Sequence, residues 1–270
     1  MPLRLDSITP NNTDPALMAW ILQRGTQECN SAFATDDKKY IHMRRPLTDS
    51  LSGKPVGHLV FTVLNNETEQ QLEILDIDIT LNPDRPSRIK FVDLLNRSDS
   101  NEYYEVESNQ EQHLVVETVN RFTEPGKLIN TEREVKISMF PFQLGIYKDI
   151  DEYNREIGFG EPVDAGGTGL LIHGLSEKFC MPGSAFNEDK DNDDHYSLII
   201  GTVKSFRDVA FDFGENRLPF VLAQVDTAVG TVPVAMGRDV FDLSELKAGC
   251  TVVMNTVVKA DVAAPAVFQR

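Results

Sequence analysis

Cysteine is scarce in this chain of 270 residues, which has three, at Cys29, Cys180 and Cys250. An odd number of widely separated cysteines, with no Cys-x-x-Cys pair, does not build a disulfide framework or a structural zinc site. Unpaired cysteine usually behaves as a small buried hydrophobic residue. We therefore predict three reduced thiols in the protein interior and no cofactor.

Long hydrophobic runs are also missing. No stretch approaches the roughly 18 consecutive apolar residues of a transmembrane helix. Residues 1–6 lack the apolar segment that a secretory signal peptide carries. The sequence therefore predicts a cytoplasmic location and no association with a membrane.

Positive charge is in short supply, with 26 lysines and arginines against 42 aspartates and glutamates and a net charge of −16. Residues 151–270 hold 19 acidic and 10 basic side chains, a net charge of −9, which leaves −7 for the first 150 residues. An acidic surface repels phosphate backbones, so ordinary nucleic-acid binding is disfavoured. A protein partner, an uncharged ligand or a cation suits this charge better, and solubility alone is the simpler explanation.

An acidic run at residues 188–195 is the nearest approach to a metal motif. Asp189, Asp191 and Asp193 match the first three ligand positions of an EF-hand loop. The position that requires glycine is Asp194, and the position of the bidentate glutamate is Ile200. These three aspartates are therefore candidate ligands of a cation site other than an EF-hand, and a solvated loop is the alternative.

The usual catalytic motifs do not occur. The glycine-rich residues 164–169 lack the lysine and spacing of a phosphate-binding loop, and no Gly-x-Ser-x-Gly elbow surrounds Ser184. A hydrolytic site would have to be assembled from separate loops, where carboxylates and histidines could act as acid and base. The candidates for such a site are Asp164, His173, Asp194 and His195.

The first half of the chain changes from irregular to strand-like. Within residues 1–55, residues 16–23 have the spacing of a short helix that ends at Gly25. Residues 56–150 predict an antiparallel β-domain, either a sandwich or an open sheet. One of its strands, residues 71–81, alternates regularly apart from an offset at Leu75 that indicates a bulge.

Three further segments complete this half. Residues 89–95 fit either a strand or a helical turn, and residues 96–112 are polar enough to predict a loop. Residues 148–157 predict a charged connecting helix. No internal repeat is visible in the sequence.

The last quarter of the chain has the rhythm of a small β-barrel. Strands are predicted at residues 198–206, 218–226, 231–236 and 251–259. Gly201 in the first strand indicates a bulge or bend, and residues 239–246 have the spacing of one or two helical turns.

This order of strand, loop, strand, strand, helical turn and strand resembles the oligonucleotide/oligosaccharide-binding barrel, the OB-fold. The barrel has five strands and this block has four, so residues 168–172 or residues 263–268 are expected to supply the fifth. The resemblance predicts a barrel domain over residues 160–270. A plain antiparallel meander is the alternative.

The resemblance also implies a binding surface near the first loop of the block. Arg207, Phe211, Phe213 and Arg217 lie there, and arginine and aromatic side chains can stack on bases or sugars. In the alternative interpretation the phenylalanines close the barrel end and the arginines are solvated.

The sequence therefore predicts a mainly β protein, an antiparallel sandwich or open sheet followed by an OB-like barrel. The leading hypothesis for its function is a non-enzymatic binding or assembly module that recognises a protein partner, with self-association included. Two alternatives stay open, a hydrolase with a carboxylate and histidine site, and a single-stranded nucleic-acid binder.

Overall fold

The computed structural model describes residues 7–9, 15–35, 39–66, 71–97, 101–122, 124–159, 162–165, 168–171, 174–185, 195–262 and 268–269. Strands account for 59% and helices for 10% of the structure, which confirms the predicted mainly β class. Among the described residues, no helix is long and apolar enough to cross a membrane.

Helices are few and short. Helix α1, Pro15–Trp20, continues into a π-helical turn at Ile21–Gly25, which confirms the helix predicted at residues 16–23. Helix α2, Ile150–Glu156, lies within the predicted connecting helix, and the Asp149 side chain caps it by accepting a 2.9 Å hydrogen bond from the Glu152 amide. A single 3₁₀ turn occupies Gly183–Ala185.

Strands make up most of the described chain, and the first ten lie before residue 172. They are β1 Ser31–Ala34, β2 Tyr40–Thr48, β3 Pro55–Asn66, β4 Gln71–Leu81, β5 Ser87–Arg97, β6 Glu102–Ser108, β7 His113–Thr118, β8 Glu132–Tyr147, β9 Pro162–Ala165 and β10 Thr168–Leu171. The remaining strands are β11 Phe179–Pro182, β12 Ser197–Phe213, β13 Asn216–Thr227, β14 Gly230–Met236, β15 Thr251–Val262 and β16 Phe268–Gln269.

These strands form two main sheets. The small sheet is antiparallel and has the order β16-β1-β2-β3-β4. The large sheet has nine strands in the order β11-β12-β13-β14-β8-β15-β7-β6-β5, with two further pairings, β12 with β15 and β8 with β5. Strands β9 and β10 pair only with each other among the described strands.

The extra pairing of β12 with β15 closes five strands of the large sheet into a ring, which we call the C ring. Its order is β12-β13-β14-β8-β15 and back to β12. Strands β14 and β8 run parallel through the pair Val234 and Met139, and the other four pairings are antiparallel. A closed ring leaves no unpaired edge over the length that its strands share.

The pairing of β8 with β5 closes a second ring, which we call the N ring. Its order is β5-β6-β7-β15-β8 and back to β5. Here β7 and β15 run parallel and the other four pairings are antiparallel. The two rings therefore share β8 and β15, and each has the same strand order and directions.

The repetition reaches single residues. A register shift follows Phe91 in β5 and Val203 in β12. Phe91 exchanges backbone hydrogen bonds with residues 130 and 131, as Val203 does with residues 249 and 250. Asn130 and Gly249 both have a positive φ, of 61° and 89°. The repeat therefore lies in strand arrangement and backbone geometry and not in residue identity, and the sequence itself shows none.

The fifth strand of the C ring comes from neither predicted segment. It is β8, from upstream of the barrel-like block, whereas β10 pairs with β9 and β16 joins the small sheet. Residues 263–267 lie outside the described part. The long pairing of β8 with β15 also joins the ranges 56–150 and 160–270, in which the sequence predicted separate domains.

Three local predictions have clear outcomes. The bulge at Leu75 is confirmed, because Thr62 pairs with Asp76 while Val63 pairs with Ile74. Residues 96–112 were predicted as a loop but contain β6, whose polar composition includes a buried glutamate. Residues 239–246, where one or two helical turns were predicted, lie in isolated turns, with backbone hydrogen bonds from the Phe241 amide to the Gly237 carbonyl and from the Leu246 amide to the Leu243 carbonyl.

Two hydrophobic clusters hold the fold together. The first consists mainly of residues on the ring strands, among them Phe91, Val203 and Met254. The second lies between the small sheet and the C ring, where Phe61 packs in the same cluster as Phe220. This second cluster buries one face of the C ring beneath the small sheet.

Candidate docking edge on the C ring

Strand β12 extends beyond the end of its pairing with β15. On one side, its segment from Thr202 to Phe213 pairs with β13. On the opposite side, β15 pairs only with the segment Ser197 to Thr202. The second edge of β12 therefore continues past the closure of the C ring without a strand beside it among the described residues.

The two ends of this segment are held by other parts of the chain. At one end, the Val203 amide donates to the Cys250 carbonyl at 2.9 Å, and the Val203 carbonyl accepts from the Gly249 amide at 2.7 Å. At the other end, the Ala210 carbonyl accepts from the Ser50 amide at 2.8 Å.

Between these ends the backbone of β12 is open. Outward and inward groups alternate along an antiparallel strand, and both backbone groups of Ala210 point away from β13. Counting back from Ala210, the amides and carbonyls of Asp208 and Phe206 point the same way. Among the described residues, no backbone group from another strand bonds to them. We call residues 204–209 the open edge.

All side chains of the open edge except the buried Val209 are exposed, as its backbone is. All five residues from Lys204 to Asp208 are solvent-exposed, and Phe206 is 40% exposed. Asp208 pairs with Arg238 at 2.6 Å, and Lys204 pairs with Asp226 at 3.1 Å. The open edge thus presents one large apolar side chain between two surface ion pairs.

A buried aspartate fixes the end of the open edge. Asp49 is fully buried in the turn between β2 and β3, and its carboxylate accepts hydrogen bonds from the Ala210 amide at 3.1 Å and from Arg207 at 2.8 Å. Burial alone would raise the pKa of this carboxyl, but hydrogen bonds from Ser52, Ala210 and Leu51 outweigh burial and lower the pKa to about 2. Asp49 therefore stays ionised and ties the small sheet to β12.

Two shallow clefts flank the adjoining hairpin of β12 and β13. One, of about 300 Å³, is lined by the Asp49 turn together with Phe211 and Asp212. The other, of about 230 Å³, is lined by residues that include Arg217 and Asp239. Both lie at or below the lower limit of about 300 Å³ for small-molecule sites. This region resembles a surface for docking more than an enclosed substrate pocket.

The four predicted binding residues separate into two pairs. Phe211 and Phe213 are buried, and Phe211 packs on Phe220 with ring centroids 4.9 Å apart. Arg207 binds Asp49, and Arg217 donates to the Ser50 hydroxyl at 3.2 Å. The phenylalanines thus close the core, while the arginines border the open edge and the Asp49 turn.

The predicted hydrolytic residues lie mostly outside the described part of the chain. This applies to His173 and Asp194, and for Asp164 only the backbone, in β9, is described. The His195 ring stacks on Tyr103 with centroids 3.9 Å apart, and its Nε2 accepts a 3.0 Å hydrogen bond from the Asn96 amide group. The hydrolase hypothesis stays a prediction.

The predicted cation site also lies outside the described residues, because Asp189, Asp191 and Asp193 belong to residues 186–194, which are not described. Within the described residues, no group of three or more His, Cys, Asp or Glu side chains is arranged to hold a metal ion. The cation site therefore stays a prediction.

A buried cluster of charges was missed by the sequence analysis. The Lys259 ammonium in β15 contacts the carboxylates of Asp78 in β4 and Glu117 in β7, and no side chain of the three is more than 5% exposed. We call these residues the Lys259 cluster. Beside it, Arg44 in β2 forms a bidentate pair with Asp261, at 2.7 and 2.6 Å. The signal in the sequence was a lysine and an aspartate, Lys259 and Asp261, in the apolar second half of a predicted strand.

A buried histidine lies at the same junction. The His42 Nε2 atom lies 3.2 Å from the Arg121 carbonyl oxygen and 3.3 Å from the Arg121 amide nitrogen, and Nδ1 lies 3.2 Å from the Thr62 hydroxyl. Burial is the main cause that lowers the pKa of His42 to about 4. His42 is therefore neutral at physiological pH and acts in packing and hydrogen bonding.

The chain was compared with protein-family models, curated proteins and solved structures. No protein-family model, no curated protein and no solved structure matches the chain.

Proposed function

We propose that this protein is a docking module, which binds a protein partner by adding an extended segment of that partner to the open edge of β12. The observation that carries the proposal is the pair of outward-facing residues Phe206 and Asp208, whose four backbone groups meet no other strand of the described chain. An unpaired strand edge is a template for strand addition. The partner's main chain would supply the hydrogen bonds that the C ring leaves unmade.

The two capped ends of the open edge favour a short partner segment. Val203 and Ala210 already use their outward groups within the chain. The open edge between them has six residues and a length of about 20 Å. A partner strand longer than this would meet the Ser50 turn at one end and residue 249 at the other. These ends also oppose indefinite stacking of copies into a fibre, the hazard of a long exposed edge.

The side chains support a protein partner over a nucleic acid. Phe206 offers apolar contact to a neighbouring side chain on an added strand, while Arg207 and Asp208 are already in ion pairs. The net charge of −16 repels a phosphate backbone. Main-chain pairing with one apolar contact therefore suits this surface better than phosphate binding.

We also propose that the C ring is OB-like, with β12 to β15 as its first four strands and β8 as its fifth. In such barrels the second and third strands usually carry the ligand-binding face. The corresponding residues Leu218, Phe220 and Ala235 pack in the cluster beneath the small sheet. This burial supports a role for the C ring in which its edge, and not its usual face, makes the contact.

Affinity capture with matched variants tests the docking proposal. Immobilised wild-type protein, Phe206→Pro and Phe142→Ala are compared for partners captured from an extract of the source cells. Phe206→Pro removes an outward amide without breaking the ladder with β13, so the fold is retained. Phe142 is another exposed aromatic residue, at 43%, and serves as the control. We expect wild type and Phe142→Ala to retain the same partner. Phe206→Pro should bind that partner about tenfold more weakly.

Hydrogen exchange on the purified complex then locates the contact. We expect protection of residues 204–209 when the captured partner is bound. The variant Phe206→Ala keeps the amide and loses the ring, so it separates main-chain pairing from side-chain contact. Undiminished binding by Phe206→Pro, or protection that maps elsewhere, would contradict the proposal.

A further inference from the structure

The junction between the small sheet and the two rings is ionic at its centre. Lys259 lies in β15, one of the two strands that both rings share, and its ammonium contacts Asp78 in the small sheet and Glu117 in the N ring. The Lys259–Glu117 distance is 2.5 Å. One ammonium therefore serves two carboxylates from two different sheets, in a region closed to water.

Further charged and titratable groups surround this cluster on every element packed against it. Asp76 adds negative charge to Asp78 from the same strand. Arg44 and Asp261 neutralise each other beside it. Other charged or titratable groups described at the junction are His42 on β2, His58 on β3, Lys136 on β8 and Arg121, which follows β7.

The net charge of the Lys259 cluster depends on whether one carboxylate is protonated. Within the Lys259 cluster, two buried carboxylates face one ammonium, and burial makes a surplus charge of either sign costly. Binding of one proton to a carboxylate makes the Lys259 cluster neutral.

We infer that the Lys259 cluster is a proton-binding site that controls how firmly the small sheet is held on the rings. The proton resides on the Asp78 carboxyl, between Lys259 and Asp76, and it leaves to solvent as the pH rises. The protonated cluster is neutral and holds β4 against β15. Loss of the proton leaves two buried carboxylates against one ammonium and favours separation of β4 from the rings.

The electrostatics of Asp78 agree with this assignment. Burial is the first cause that raises its pKa, Lys259 opposes the rise, and Asp76 and Glu117 add to it, with a result of about 7 against an ordinary value of 3.8. The folded-state pKa is raised, so the stabilisation is present at low pH and is lost as the pH rises toward 7. The same two values predict that the opening constant of this contact increases about tenfold between pH 6 and pH 8.

Two measurements on the intact protein test the inference. Carbon-13 NMR of aspartate carboxyls follows Asp78 directly, with the resonance assigned by its loss in Asp78→Asn. Hydrogen exchange of residues 71–81, corrected for the intrinsic pH dependence of exchange, follows the opening. The pH response of Asp78→Asn is the reference, because asparagine is a neutral substitute for the protonated acid and cannot lose a proton.

We expect Asp78 to titrate near neutral pH, and exchange at residues 71–81 to rise about tenfold more in wild type than in Asp78→Asn between pH 6 and pH 8. His42 and His58 contribute equally to both proteins, so the comparison cancels them. Residues 216–236 report on the C ring and should show no difference between the two proteins. An Asp78 resonance that titrates below pH 5, or equal pH responses in the two proteins, would overturn the inference.

Discussion

Replacement of Lys259 by methionine tests whether the buried charges stabilise the fold as a unit. Methionine keeps most of the side-chain volume and removes the ammonium that contacts both Asp78 and Glu117. Removal of one partner from a buried ion pair typically costs about 3–5 kcal/mol, because the remaining charge stays buried without compensation. We expect a loss of this size, which corresponds to a fall in Tm of about 10 °C for a chain of this length.

Chemical and thermal unfolding, followed by circular dichroism, measure this loss. The matched control is Lys204→Met, because Lys204 is 54% exposed and also contacts a carboxylate, that of Asp226, at 3.1 Å. An exposed pair contributes about 0–1 kcal/mol, so the control should differ little from wild type. If both variants lost the same small amount, the assignment of the Lys259 cluster as a structural unit would be refuted.

The combination of Lys259→Met with Asp78→Asn and Glu117→Gln extends the argument. Neutral partners remove the uncompensated charges, so the triple variant should be more stable than Lys259→Met alone. A triple variant less stable than Lys259→Met would show that the carboxylates act through other contacts.

Two further predictions concern the same layer of the protein. His42 has a pKa of about 4 against an ordinary 6.5, so the free energy of unfolding should fall by up to about 3 kcal/mol as the pH falls from 6.5 toward 4. Denaturant unfolding of His42→Asn should lack this pH dependence. An unchanged pH dependence in the variant would contradict a buried neutral histidine. Gly57→Ala places a Cβ 2.0 Å from the Thr80 carbonyl oxygen, a backbone atom that cannot move aside cheaply, and we expect denaturant unfolding to show a loss of about 1–3 kcal/mol; an alanine variant as stable as wild type would contradict the steric argument.

Local strand patterns were readable from the sequence. Residues 71–81 alternate with period two, so both the strand and the offset at Leu75 could be predicted, and both are confirmed. Helix α2 was predictable because the Asp149 cap and its charged turn are contiguous in sequence. Such features depend on neighbours a few residues apart, which is why a single sequence contains them.

The rings were beyond the reach of the sequence because their closing pairs are distant. The pairing of Glu117 with Lys259, and of Val234 with Met139, has no local signature. Residue patterning also hid the repeat, since the equivalent residues Phe91 and Val203 share backbone bonds and not side-chain type. Only four strands of the OB-like block were predicted for the same reason, because the fifth strand, β8, ends about fifty residues upstream of β12.

The candidate site could be predicted only in part. Arg207 belongs to the open edge and Arg217 contacts the adjoining Ser50 turn, both near the first loop of the block, whereas Phe211 and Phe213 are core residues. Phe206, in the same stretch, was not singled out. Its importance depends on where β15 stops pairing with β12, and this endpoint follows from the register of the whole ring. Exposure of an edge is a property of the assembled sheet, so no residue pattern announces it.

The sharing of β8 and β15 makes the order of synthesis matter to folding. The N ring takes four of its strands from residues 87–147, but its fifth is the last long strand of the chain. A nascent chain that has emerged through residue 147 therefore holds a ring with a gap between β7 and β8, with an apolar interior that only Thr251–Val262 can seal. Pairings this distant in sequence slow folding and prolong the exposure of unpaired edges. Neither ring can be excised as an independent unit, and a truncation that spares every residue of β5 to β8 still removes the strand that completes them.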